Sequence, residues 1–201
     1  MEKVAYLGPK ATFCDLAATK LFDNSERVAY GTIPECIDAA GKNEVNFAVV
    51  PLENALEGSV NITMDYLIHE VRVPIVAEFS SPIRQHLMMH PDNAGRIGEI
   101  ERIYSHSHAI AQCHKYLHGE LKGVRCENTT STAFAAQYVS KHPEEVTAAI
   151  ANEMAAREYG LTIVKPDIHD YAHNHTRFVV LSHKPIGERL DGLVRKGEKT
   201  T

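Results

Sequence analysis

The chain has 201 residues, of which 44% are hydrophobic and 23% are charged, a globular composition that excludes a disordered tail, a coiled coil or a fibre. Its formal net charge of -5 gives no net positive field for phosphate neutralisation, so charge-driven nucleic-acid binding is not expected. The sequence has neither a signal-peptide pattern nor an apolar run long enough to span a bilayer, so we expect a cytoplasmic protein without a membrane partner.

Strands and helices are predicted to alternate along most of the chain. An apolar run at 3–7, a Gly-Pro break and helical spacing at 12–22 indicate strand, turn and helix. The same order recurs: the later predicted strands are 47–50, 102–104, 123–126 and 147–150, and the helices after them are 59–69, 105–117, 133–139 and 153–159. This alternation predicts a mostly parallel sheet with helices on both faces.

Three other segments follow a different pattern. Residues 73–89 are rich in β-forming residues and are broken only by Pro82, which predicts two successive strands. Residues 177–181 predict a final strand. The charged, glycine-containing residues from 187 to the end are predicted to form a linker.

Cysteine and histidine spacing predicts no metal site. The four cysteines include no C-x-x-C pair, so we interpret them as buried thiols. The closest histidine pairs, at 106/108, 114/118 and 173/175, have no third ligand at a familiar spacing. The sequence also lacks the G-x-S-x-G, P-loop and G-x-G-x-x-G patterns, so it gives no support to a serine hydrolase, an NTPase or a dinucleotide-binding dehydrogenase.

Small hydroxyl and amide residues follow several predicted strands, where a helix start can bind an anion such as a carboxylate or phosphate. The alternative is that these hydroxyls only cap their helices. The candidate caps are Thr12, Ser59, Ser107 and Ser131. The run from Thr129 to Thr132 has more hydroxyls than one cap needs, and we predict that it binds a carboxylate.

The segment Thr176-Arg177-Phe178 opens the last predicted strand. The period of two places Thr176 and Phe178 on one face of the sheet and Arg177 on the other. A threonine hydroxyl beside an aromatic ring can donate a hydrogen bond to a leaving hydroxyl. The alternative is an ordinary strand with a core phenylalanine and an arginine that reaches solvent.

Six motifs occur in order over about residues 3–182. They are Gly8-Pro9-Lys10-x-Thr12-Phe13, Pro51-x-Glu53-Asn54-x-x-Glu57-Gly58-Ser59-Val60, Glu127-Asn128-Thr129-Thr130-Ser131-Thr132, Ala148-Ala149-Ile150-Ala151, Tyr159-Gly160-Leu161 and Asn174-x-Thr176-Arg177-Phe178. Together they resemble the catalytic domain of bacterial prephenate dehydratases. Three positions depart from the family pattern, because Ala11 replaces a glycine, Ala55 a serine and His108 a glutamine.

The resemblance implies an α/β fold with two lobes, like a type II periplasmic binding protein, and an active-site cleft between the lobes. The implied boundaries are 1–74 plus 176–185 for one lobe and 82–166 for the other, with crossings near 75–81 and 167–175. Residues 186–201 are expected to be a linker toward an ACT regulatory domain that this chain lacks.

The implied reaction converts prephenate, the small-molecule substrate, to phenylpyruvate with loss of carbon dioxide and water and without a cofactor. A homodimer or larger homo-oligomer is also implied. Arogenate dehydratase remains an alternative, as does a non-catalytic module that binds a small dicarboxylate.

The resemblance also assigns site residues. The catalytic candidates are Thr176, Arg177 and Phe178. The substrate-binding candidates are Thr12, Phe13, Glu53, Asn54, Glu57, Ser59, His106, Thr129, Thr130, Ser131, Thr132 and Asn174. In the implied mechanism Thr176 hydrogen-bonds the departing hydroxyl, and the hydroxyl run holds the pyruvyl carboxylate.

Overall fold

A computed structural model describes residues 1–184, and the chain forms two compact units of helices and strands. The first unit comprises Met1–Gly8, Cys14–Pro82 and the described residues from His175 onward. The second comprises Pro9–Phe13 and Ile83–Asn174. The predicted linker at 186–201 lies outside the described residues.

The elements alternate as the sequence predicts. The strands are β1 (Lys3–Leu7), β2 (Glu26–Tyr30), β3 (Phe47–Asn54), β4 (Gly58–Ser59), β5 (Ile75–Pro82), β6 (His86–Met89), β7 (Arg102–Ser105), β8 (Arg125–Asn128), β9 (Thr147–Ala151), β10 (Thr162–Lys165) and β11 (His175–Leu181). The helices are α1 (Phe13–Leu21), α2 (Ile33–Gly41), α3 (Asn61–His69), α4 (Ser107–Gln112), α5 (His114–Glu120), α6 (Thr132–Lys141) and α7 (Glu153–Glu158). None of these helices is long and apolar enough to cross a membrane.

Each unit has its own sheet, and both sheets are mixed. The first has the order β2-β1-β3-β11-β5, with β4 paired to β3, and the second has the order β10-β6-β9-β7-β8. Parallel pairs join β1 to β2 and β3, and β7 to β8 and β9. However, β11 is antiparallel to both of its neighbours, and so is β6.

The prediction of a mostly parallel sheet is therefore wrong. The prediction failed at residues 73–89, because the two strands of this segment, β5 and β6, belong to different sheets. Each of these strands pairs antiparallel within its own unit. The alternation of strand and helix predicts only the parallel pairs, which need a crossover helix.

Four elements were not predicted: β2, α2, β4 and β10. The start of α2 carries a signal that was available, because Thr32 and Glu35 form a capping box. The Thr32 hydroxyl accepts from the Glu35 backbone N–H at 3.2 Å, and the Glu35 carboxylate accepts from the Thr32 N–H at 3.2 Å. The predicted helix at 105–117 is instead split at Cys113 into α4 and α5.

The division into units differs from the expected lobe boundaries in several places. Residues 75–81 lie inside β5 of the first unit, and Pro9–Phe13 belongs to the second unit. The second assignment has a physical reason. The Asn152 side chain donates to the Ala11 carbonyl at 2.9 Å, and the Tyr159 hydroxyl donates to the Lys10 carbonyl at 3.1 Å.

The cysteines are free thiols with unequal burial. Cys14, Cys36 and Cys113 are buried, whereas Cys126 is only partly buried. Burial raises the pKa of each of the first three thiols to about 12, so these thiols stay protonated at neutral pH. Because the thiolate is the reactive form, the three buried cysteines are unsuited to nucleophilic chemistry.

We expect native protein treated with iodoacetamide at pH 8 to be alkylated first at Cys126, since this thiol is only partly buried whereas the other three are buried. Burial raises the pKa of Cys126 as well, so its labelling should be slow. Peptide mass spectrometry of a time course measures the order of labelling. Protein unfolded in urea, with all four cysteines exposed, serves as the control. Labelling of Cys14 as fast as Cys126 in the native protein would contradict the burial described here.

Candidate functional site

The amino end of β11 meets the carboxyl end of β3 in the first unit. Because these strands are antiparallel, Thr176 lies directly opposite Asn54, and Arg177 lies opposite Glu53. Thr176 is 8% exposed. Four of the predicted site residues, from two distant parts of the sequence, are therefore neighbours on one sheet.

Asn54 joins a tight turn to the Thr176 side chain. Its Oδ1 accepts from the backbone N–H groups of Leu56 and Glu57 at 2.9 and 3.1 Å. The other amide atom must therefore be the NH₂ donor, and it donates to the Thr176 Oγ1 at 2.8 Å and to the His175 carbonyl at 3.2 Å. Since Thr176 accepts this bond, its own hydroxyl proton remains available to donate elsewhere.

Arg177 is paired with carboxylates on the opposite face of the sheet from Thr176. Its Nη2 donates to Glu53 Oε2 at 2.8 Å, and its Nη1 lies 3.7 Å from Glu78 Oε2. An open depression borders this arginine and is lined by Glu53, Ala55, Ser80, His175 and Arg177. The guanidinium charge is thus balanced by two carboxylates before any ligand is considered.

Exposure differs sharply among the other site candidates of the first unit, which are Phe178, Glu57 and Ser59. Phe178 is 1% exposed and lies two residues along β11 from Thr176, on the same face of the sheet. Glu57 and Ser59 are exposed. Ser59 belongs to β4 and does not cap α3, which begins after Val60 without a side-chain cap. The predicted capping role of Ser59 is therefore wrong.

The hydroxyl run, Thr129 to Thr132, lies in the second unit, from the turn after β8 to the first residue of α6. Ser131 is the N-cap of α6, because its Oγ accepts from the Phe134 N–H at 3.0 Å. The Thr129 hydroxyl donates to the Ser131 carbonyl at 2.9 Å. Thr132 is buried, whereas Thr130 is exposed. Two of the four hydroxyls thus stabilise the turn itself, and Thr130 presents its hydroxyl to solvent.

The turn after β7 holds His106 as the N-cap of α4, where its Nδ1 lies 3.4 Å from the His108 backbone N–H. The predicted cap, Ser107, is already inside the helix. The two rings lie edge to face, with their centroids 4.9 Å apart. His108, at the position where the family pattern has a glutamine, is exposed.

The other predicted site residues of the second unit are Thr12, Phe13 and Asn174. Thr12 and Asn174 are buried, and Phe13 is partly buried. The neighbouring Ala11 has a φ of 64°, in the left-handed region that glycine adopts most easily. This backbone explains why a glycine is usual at this position.

Sequence reasoning missed Asn152, which caps α7 with its Oδ1 while its amide group holds the Ala11 carbonyl. The signal was present, because an asparagine between an apolar strand and a helix is a typical N-cap. Among residues 1–184, no cluster of three or more His, Cys, Asp or Glu side chains is placed to hold a metal ion.

Comparisons with known proteins identify the family of the chain. The family model for prephenate dehydratase matches residues 4–186. The prephenate dehydratase of Bacillus subtilis is 61% identical over 201 residues, which cover 99% of this chain and 70% of that protein. The structure of the Arthrobacter aurescens prephenate dehydratase in complex with L-Phe has a TM-score of 0.83 and 28% identity, and the match covers 90% of this chain and 60% of that one.

A more distant structure carries information about the fold alone. A periplasmic substrate-binding protein of an ABC transporter from Coxiella burnetii has a TM-score of 0.51 and 12% identity, and the match covers 96% of this chain and 90% of that one. The expected α/β fold of the type II binding-protein class is thereby confirmed.

Replacing Asn54 with alanine removes the two acceptor and two donor contacts of its side chain. We expect the free energy of unfolding to fall by about 1–3 kcal/mol, the range for leaving several partners unsatisfied. Urea denaturation followed by circular dichroism measures the loss. Asn54→Asp keeps the acceptor in the turn and should lose less. An alanine variant as stable as the parent would show that the turn does not depend on this side chain.

Proposed function

The chain belongs to the prephenate dehydratase family, and we propose that it converts prephenate to phenylpyruvate with Thr176 as the residue that assists departure of the ring hydroxyl. The reaction serves aromatic amino acid biosynthesis. The observation that supports the role of Thr176 most directly is the hydrogen bond from Asn54, which fixes the threonine oxygen and leaves its proton unused.

Loss of water and carbon dioxide makes the ring aromatic, so the substrate itself supplies most of the driving force. The protein must hold the ring and help the hydroxyl leave. A threonine hydroxyl is a weak acid, and its contribution is therefore a hydrogen bond that strengthens as negative charge develops on the departing oxygen.

The ring carboxylate loses its charge as it becomes carbon dioxide. A cation held against this carboxylate would stabilise the ground state more than the transition state and would slow the reaction. Arg177 avoids this penalty, because it is paired with Glu53 and Glu78 on the face opposite Thr176. We therefore assign Arg177 to holding Glu53 and the strand ends.

The pyruvyl carboxylate keeps its charge throughout the reaction and needs fixed donors. We place it at the turn before α6, where the exposed Thr130 hydroxyl accompanies the first backbone N–H groups of the helix. Ser131 contributes by shaping this turn as its cap. The remaining candidates for substrate binding, including His106 and Thr12, stay predictions, as do the homo-oligomeric assembly and the cytoplasmic location.

Incubation of the purified chain with prephenate, with phenylpyruvate followed by its absorbance, tests the function. The same assay with arogenate and detection of phenylalanine distinguishes the aminated substrate. Conversion of prephenate is the expected result. Conversion of arogenate alone would overturn the substrate assignment, and binding of prephenate without conversion of either compound would overturn the assignment as an enzyme.

Replacing Thr176 with alanine should lower kcat for prephenate by about two to four orders of magnitude, the range for loss of a donor that assists a leaving group in the transition state. Thr176→Ser keeps the hydroxyl and should retain most of the activity. Steady-state kinetics with thermal melts of both variants provide the measurement. An alanine variant within about threefold of the parent in kcat, a difference of only about 0.7 kcal/mol in barrier height, would remove Thr176 from this role.

The turn before α6 offers a matched pair of variants. Thr130→Ala should raise KM several-fold with little change in kcat, because the carboxylate is bound equally in the ground and transition states. Ser131→Ala should lower the melting temperature, since loss of an N-cap costs about 1 kcal/mol. Kinetics and melts of both variants are compared. An unchanged KM for Thr130→Ala would show that the carboxylate binds elsewhere.

A further inference from the structure

Ser81 is a buried hydroxyl that the mechanism has not used. It lies near the end of β5 and has 0% exposure. Among residues 1–184 its Oγ has no hydrogen-bond partner. Buried polar side chains are nearly always paired, so an unpaired one needs a physical explanation.

The sheet places Ser81 beside Thr176. β11 lies between β3 and β5, and Thr176 is directly opposite Asn54 on one side and Ser81 on the other. Directly opposite residues of antiparallel strands share a face, and their Cβ atoms are about 4.5–5.5 Å apart. Asn54, Thr176 and Ser81 therefore form a continuous row across three strands, which we call the Asn–Thr–Ser row.

The neighbouring serine serves as an internal comparison. Ser80 is opposite Arg177 and therefore lies on the other face of the sheet. It is exposed and borders the depression beside that arginine. Of these two serines, Ser81 alone is thus on the same face of the sheet as Thr176.

We propose that Ser81 is a positioning residue for Thr176, and that in the substrate complex its O–H donates to the Thr176 Oγ1. This inference rests on the proposed function. The threonine oxygen has two lone pairs, and Asn54 occupies one of them. Ser81 occupies the other after a rotation between staggered χ1 positions, which a serine makes without moving the strands.

Two donors on the Thr176 oxygen have a chemical consequence. They fill its acceptor capacity, so its own proton is the only part of the hydroxyl left to bond, and that proton points toward the departing hydroxyl of the substrate. Donors to an oxygen also polarise its O–H bond and strengthen the bond that it donates. The Asn–Thr–Ser row thus makes an ordinary threonine a better hydrogen-bond donor in the transition state.

The first test is Ser81→Ala in the full chain. We expect kcat for prephenate to fall about tenfold, which is the effect of losing one hydrogen bond, while KM stays unchanged. The melting temperature should stay the same or rise, because the variant removes a buried hydroxyl that lacks a partner. A merely structural role of Ser81 would instead lower the melting temperature and leave kcat intact.

A matched control is Thr147→Val in the second unit. Thr147 is 2% exposed, and its hydroxyl also has no hydrogen-bond partner among the described residues. It opens β9, at the opposite strand end from the turns that carry the candidate site. The variant removes a comparable hydroxyl and should leave kcat within twofold of the parent.

The decisive measurement combines Ser81→Ala with Thr176→Ala. If Ser81 acts through Thr176, the double variant has the same kcat as Thr176→Ala alone. A further tenfold loss in the double variant would show that Ser81 acts independently and would overturn the inference. If the parent chain converts prephenate and Ser81→Ala has an unchanged kcat, the inference is overturned but the proposed function is not. A parent chain that converts no prephenate overturns the proposed function, and the inference with it.

Discussion

The hydrogen bond from Asn54 to Thr176 is the contact on which the first unit's site depends. It exists because β11 runs antiparallel to β3, which brings residues 122 positions apart in the sequence to 2.8 Å. The same amide side chain closes the turn after β3 through two backbone N–H groups. One asparagine thus connects the shape of a loop to the orientation of the Thr176 hydroxyl.

The charges of the site follow a separate arrangement. Arg177 lies next to Thr176 in the chain, but strand geometry sends the two side chains to opposite faces. Glu53 and Glu78 then balance the arginine from the strands on either side. The arginine is thereby held on the face opposite the threonine, away from a carboxylate that loses its charge in the proposed reaction.

Local sequence patterns predicted the strands and helices that have a clear apolar period, and they predicted the opposite faces of Thr176 and Arg177. They failed where the outcome depends on distant partners. The antiparallel pairing of β11 places Ser81 beside Thr176, and no spacing within residues 73–89 indicates such a neighbour. Capping was predicted correctly at Ser131 but wrongly at Ser107, because His106 takes the cap of α4. His106 and Ser107 are adjacent at the start of α4, and only the backbone conformation shows which of them is the cap.

The interior position of β11 has a consequence for the order in which the protein folds. This strand is the last described element, yet it lies between β3 and β5. During synthesis the ribosome releases all of Ile83–Asn174 before it releases β11. The second unit can therefore assemble while the first still lacks an interior strand, and the edges of β3 and β5 stay unpaired until the end. Unpaired edges are sites of aggregation, so shortening the chain within β11 exposes them permanently.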